Sequence, residues 1–143
     1  MTAANIYLNF DGTTEEAFNF YKSVFGGEFA MVMRFGEMPE GDKMPAEAQN
    51  KIMHLSLPLN SQHVLMGSDT IEGMGKPITM GTNFSISLST ESKEEADALF
   101  GKLSKGGEVD MPMENTFWGS YFGMLTDPYG VQWMISYDEN YQN

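Results

Sequence analysis

Apolar and polar residues alternate in short runs along this chain, and twice the alternation gives way to a helical period. Ile6, Leu8 and Phe10 alternate with Asn5, Tyr7 and Asn9, and Phe84, Ile86 and Leu88 alternate with Asn83, Ser85 and Ser87; both patterns predict strands. Each run is followed by apolar residues at one-face helical spacing, first Ala17, Phe18, Tyr21 and Phe25, then Ala96, Leu99, Phe100 and Leu103. Thr13 with Glu16 and Ser92 with Glu95 have capping-box spacing, so both helices are expected to start by the same chemistry. Both stop at paired glycines, Gly26–Gly27 and Gly106–Gly107, which suit the left-handed residue that closes a helix.

The segments "EFAMVMRF", "KIMHLSL" and "HVLMGS", then "EVDMPM", "SYFGMLT" and "VQWMIS", read as further strands. The chain thus repeats one plan, βαβββ, in modules of about 4–69 and 82–138. Residues 36–50, rich in glycine, proline and charge, predict a mobile loop, and residues of about 70–81 predict a linker. Together they are expected to form a single α+β domain over residues 1–143.

Composition narrows the function more than the fold. Twenty acidic against eight basic residues give a formal charge of −12, which repels phosphate backbones and anionic membranes. Neither nucleic acid nor membrane is an expected partner. The start "MTAANIYLNF" lacks a signal-peptide pattern, and no run approaches the roughly 18 apolar residues of a spanning helix, so a cytoplasmic location is expected. Without cysteine there is no thiolate nucleophile and no thiolate metal site. Thirteen methionines read as an adaptable core in preference to a methionine-lined pocket.

The paired modules, the helix end "FNFYKSVFGG", the loop "RFGEMP" and the final "DPYGVQWMIS" together resemble the vicinal oxygen chelate superfamily, and within it the PhnB-like proteins. The resemblance spans nearly the whole chain. It implies a half-open, cup-shaped sheet with helices packed outside, a small-molecule site inside and a homodimer. In metal-using relatives such as glyoxalase I, four side chains on four strands hold one divalent ion. The resemblance places those positions at Asn5, His54, Asn83 and Met134. The family gives a scaffold and leaves the reaction open.

Strand parity gives an independent reading of which side chains face the site. Met53, Leu55, Leu57 and Leu59 are expected under a helix, which leaves Ile52, His54 and Ser56 on the other face with Asn5, Tyr7 and Asn9. Asn83, Ser85 and Ser87 are expected opposite Phe84, Ile86 and Leu88, and Gln132, Met134 and Ser136 opposite Val131, Trp133 and Ile135. One imidazole, two amides and a thioether carry no negative charge and make a poor divalent-metal site. His54 is therefore either a base or hydrogen-bonding group that orients a ligand, or a buried neutral histidine satisfied by Asn5, Tyr7 or a carbonyl. His63 is expected to be an exposed polar residue.

Trp118, Tyr121 and Phe122 in "NTFWGSYFG" either stack on a planar ligand or close the core or a dimer contact. Arg34 and Glu37 are either an ionic pair at the site entrance or a surface pair. No pattern supports covalent or glycosidase chemistry. PhnB-like proteins have been labelled methyltransferases, but no glycine-rich strand–turn–helix of a nucleotide fold occurs here. The expected function is to bind a small organic molecule, aromatic or cationic, at Asn5, Tyr7, His54, Ser56, Asn83, Ser85, Trp118, Tyr121 and Met134, with His54 the one catalytic candidate. No cofactor is expected. A metal-dependent lyase, isomerase or dioxygenase-like enzyme is the alternative, and a protein-interaction role with a self-filled cup is the third.

Overall fold

Each alternating run becomes a strand of one of two mixed sheets. In the computed structural model, which describes residues 2–139, the chain divides between Thr79 and Met80 into two units. The first contains β1 (Ile6–Phe10), α1 (Thr14–Phe25), β2 (Met31–Arg34), a short α2 (Ala46–Gln49), β3 (Ile52–Pro58) and β4 (Val64–Asp69). The second contains β5 (Ile86–Ser89), α3 (Lys93–Ser104), β6 (Glu108–Asn115), β7 (Tyr121–Thr126) and β8 (Gln132–Tyr137). Their sheets have the same order, β1-β4-β3-β2 and β5-β8-β7-β6, each with one parallel pair, β1 with β4 and β5 with β8. The fold class is α+β, built from two βαβββ modules.

Within the first unit, the apolar face of α1 buries Ala17, Phe18 and Tyr21 completely. Phe18 lies against Gly67, where an added Cβ would come within 2.7 Å of the ring, so β4 is bare at the one point where the helix presses closest. Leu8, Phe10, Leu55, Leu57 and Leu65 complete this core. In the second unit Ala96, Leu103, Leu125, Trp133 and Ile135 are buried, and Phe100 approaches Gly123 in the same manner. Pro112 sits within β6, where the pairing with β7 shifts register between Met111 and Glu114, and β6 lies at the end of its sheet, where a missing N–H donor is tolerated.

The two helices do not start alike. Ser92 caps α3 as expected, its hydroxyl accepting from the Glu95 amide at 3.0 Å. Thr13 makes no such bond. The buried Asp69 at the end of β4 instead accepts from the Thr14 amide at 3.0 Å and, with its other oxygen, from the Ile52 amide at 2.8 Å. A long-range carboxylate thus holds the first amide of α1, while the local hydroxyl makes no capping bond. The turn before β8 has its own clamp: Asp127 accepts from the Tyr129 and Val131 amides with Oδ1 and from Trp133 Nε1 at 2.9 Å with Oδ2.

Three further expectations change. Residues 36–50, expected as a mobile loop, carry successive helical turns, with Gly41 and Ala48 buried and the Gln49 side-chain amide donating to the carbonyls of Asp42 and Met44. The β2–β3 register slips between Met33 and Arg34, and Ile52, expected on the site face, is buried while Met53, expected under the helix, is half-buried. β5 begins at Ile86, where its partner strand β8 has left the turn at Gly130. Phe84 is consequently 58% exposed, and its carbonyl accepts from the Gln132 side chain. Among the described residues no helix is long and apolar enough to cross a membrane.

Candidate functional site

The ladders of the first sheet fix which residues share the face turned away from α1. Tyr7 pairs with Met66, Met66 with Ser56, and Ser56 with Met31, giving one row across the four strands. The next row carries Asn9 paired with Ser68 and His54 paired with Met33. Ser68 Oγ donates to Asn9 Oδ1 at 3.2 Å. The Tyr7 hydroxyl lies 3.1 Å from His54 Nδ1, and the two rings stack with centroids 5.6 Å apart and planes at 30°. Tyr7 therefore reaches over β4, which separates β1 from β3.

Tyr7 is 44% exposed and His54 half-buried. The histidine is thus held by Tyr7 through Nδ1 without being sealed in the core. Ser56 shares this face and is largely buried. None of the side chains named in these two rows carries a carboxylate, an ammonium or a guanidinium. Arg34 has turned away: its guanidinium forks onto Glu15 of α1 at 3.1 and 2.6 Å and donates to the Asn50 carbonyl at 2.8 Å. These bonds hold the Glu15 carboxyl below its ordinary range. The Glu37 carboxylate accepts from the Arg34 amide at 3.4 Å.

The other expected site residues disperse. Asn5 precedes β1 and is exposed, and Asn83 and Ser85 precede β5. Met134 pairs with Ser87 and Met124, and Met124 with Met111, in a row of the second sheet that corresponds to the Tyr7 row of the first. Trp118, 55% exposed on the turn between β6 and β7, meets Phe122 edge-on at 5.8 Å. Tyr121 faces the opposite way, toward α3: its hydroxyl donates to Asp97 at 2.6 Å and Lys93 lies over its ring. Adjacent strand residues point to opposite faces, so Tyr121 and Phe122 cannot serve one ligand on that sheet. The Asp97 bond raises the Tyr121 pKa above its ordinary value. His63 is exposed on the β3–β4 turn beside Asn60.

Met134 apart, the methionines of these rows are what sequence reasoning missed. Met66 is the ladder partner of Tyr7, Met33 that of His54 and Met31 that of Ser56, and Met111, Met124 and Met134 form the matching row. The signal was present in "MVM", "VLM", "GML" and "WMI", where strand parity assigns each methionine a face. As to the divalent metal of glyoxalase-type relatives, Asn5, His54, Asn83 and Met134 supply one imidazole and no anion, which does not fit a hard ion. Among the described residues no group of three or more His, Cys, Asp or Glu side chains is placed to hold one.

Comparison with known proteins agrees with this architecture. Residues 5–135 match the sequence model of the Glyoxalase/Bleomycin resistance protein/Dioxygenase superfamily. Protein YjdN of Escherichia coli (strain K12) is 31% identical over 138 residues, covering 91% of each chain. The crystal structure of protein PA1353 from Pseudomonas aeruginosa is 38% identical with a TM-score of 0.84, covering 96% of this chain and 98% of that one. A PhnB protein from Bacillus cereus is 30% identical with a TM-score of 0.76, covering 95% and 99%.

Proposed function

Since the chain belongs to the Glyoxalase/Bleomycin resistance protein/Dioxygenase superfamily, we propose that it binds a small neutral or cationic organic molecule on the Tyr7–His54 face of its first sheet. In this reading it is a PhnB-like binding protein, cytoplasmic and dimeric, that works without a glyoxalase-type divalent metal. The observation that carries the reading is the Tyr7–His54 contact. It holds an imidazole at a half-buried position with Nδ1 engaged by the phenol.

The surroundings support a ligand of this class. Three thioethers and an exposed phenol ring give polarizable contact area for an aromatic group, while His54 and Ser56 supply the few directional polar groups that set orientation. An anion would meet no counter-charge on this face, and the net charge of −12 opposes it at long range. Trp118 and Phe122 offer a second aromatic surface in the second unit. The same imidazole could act as a general base toward a bound molecule.

Ligand-observed NMR with a set of planar aromatic amines, phenols and quaternary ammonium compounds tests the proposal on the tag-free chain. Binding that perturbs the Tyr7 and His54 ring signals, and is lost in Tyr7→Ala and His54→Ala, is expected. Compounds that bind equally well to both variants would remove this face as the site. Size measurement across a concentration series checks the dimer.

A further inference from the structure

We propose that the Met33–His54 side of the first sheet is a site for a soft monovalent d10 ion, Cu(I) or its redox-inert analogue Ag(I). This goes beyond organic-ligand binding and does not depend on it. Met33 and His54 are direct partners in the β2–β3 ladder, so their side chains leave the same face with Cβ atoms about 5 Å apart. Met31 lies on that face of the same strand, opposite Ser56, and Met66 lies opposite Ser56 from the other side. The imidazole thus stands at the edge of a group of three thioethers.

His54 is arranged as a ligating histidine is, with one ring nitrogen held by a neighbour. The Tyr7 hydroxyl lies 3.1 Å from Nδ1; with Nδ1–H donating to that oxygen, Nε2 carries the free lone pair, the pattern that orients imidazoles at metal centres. Met31 is 47% exposed and Met33 half-buried, so an ion can enter from solvent. The donors decide the ion. Thioether sulfur is a soft, uncharged ligand that selects Cu(I), and neutral imidazole, a borderline ligand, suits copper as well. The missing anion that disqualifies these residues for a glyoxalase-type metal is no obstacle to an ion of unit charge.

The second sheet provides an internal control. Met111, Met124 and Met134 form a row like that of the first sheet, but their neighbours Ser87 and Phe122 offer no imidazole. If thioethers alone sufficed, both sheets would bind.

The test is Cu(I) competition against a chromophoric chelator under anaerobic conditions, with Ag(I) added in parallel to protein carrying 13C-methyl methionine. One ion per chain is expected, with the Met31, Met33 and His54 signals shifting while those of Met111, Met124 and Met134 stay. Met33→Leu, which keeps volume and hydrophobicity, should weaken binding at least tenfold at unchanged melting temperature, and His54→Ala should do the same. Failure to withdraw Cu(I) from the chelator, equal affinity in Met33→Leu, or equal shifts on both sheets would each overturn the proposal.

Discussion

Tyr7 crosses a neighbouring strand to place its hydroxyl 3.1 Å from His54 Nδ1, joining β1 and β3 on the sheet face away from the helix. Tyr7→Phe deletes that oxygen and little else. Because the pair is partly exposed, the substitution should cost no more than about 1 kcal/mol in urea unfolding. It should nevertheless change the histidine: 15N NMR is expected to show one dominant His54 tautomer in the parent chain and a mixture in Tyr7→Phe. An unchanged tautomer would mean that the phenol does not set it.

Asp69 is expected to be the most sensitive polar residue of the first unit. Asp69→Ala strips the acceptor from two amides, Thr14 and Ile52, and leaving such groups unpaired costs about 1–3 kcal/mol each. Ser92→Ala should cost about 1 kcal/mol. Thr13→Ala, at a position with no capping bond, should fall within about 0.5 kcal/mol. Denaturant titration of the three variants checks the order.

Much of this fold was legible, and the part that was not has physical causes. The two modules, their strand and helix order, and the face of Tyr7 and His54 all follow from periodicity, because burial on one side of a sheet imposes a period of two. The start of α1 was not legible. Thr13 and Glu16 have capping-box spacing, but local spacing cannot reveal that Asp69, 55 residues beyond Thr14, accepts from the first amide of the helix. Parity also failed where it meets irregular backbone: Ile52 and Met53 exchange burial beside a register slip, and Asn83 and Ser85 fall ahead of β5. Tyr121 was grouped with Trp118 by proximity in sequence, although its neighbour Phe122 is the one on Trp118's side.

Gly67→Ala should destabilise through crowding, since the added methyl would lie 2.7 and 2.9 Å from Phe18 ring carbons and 3.0 Å from the Leu8 carbonyl oxygen. Overpacking of this kind costs about 1–3 kcal/mol. The companion change Phe18→Leu should recover part of the loss in a double-mutant cycle. Additive effects would show that the methyl is accommodated without moving the ring.

The Arg34–Glu15 pair predicts an acid-side effect. Hydrogen bonding from Arg34 lowers the Glu15 pKa from its ordinary 4.5. Its contribution is therefore complete above that value and disappears as pH falls through the lower folded-state value. Glu15→Gln should flatten this part of the stability–pH curve. With the Glu15 side chain 49% exposed, the loss at neutral pH should stay below about 1 kcal/mol.

Tyr121 predicts the opposite limb. Its bond to Asp97 raises the pKa from the ordinary 10.0, so the contribution is present below that value and is lost as pH rises through the higher folded-state value. Asp97→Asn should lower the Tyr121 midpoint, followed through its ring carbon signals. An unmoved midpoint would mean that Asp97 does not hold the hydroxyl.

The unequal capping of the two helices bears on the order in which the chain assembles. α3 carries its own start signal in Ser92, four residues of chain that can close as soon as they emerge, whereas the first turn of α1 waits for Asp69 at the far end of its module. Forming that contact requires closure of a long loop before any reward is collected. In native-state hydrogen exchange the Thr14 amide should consequently open together with Ile52 and β4 as one cooperative unit, while the Glu95 amide exchanges by local fraying of its own helix. Two modules built on one plan would then acquire their structure by different routes.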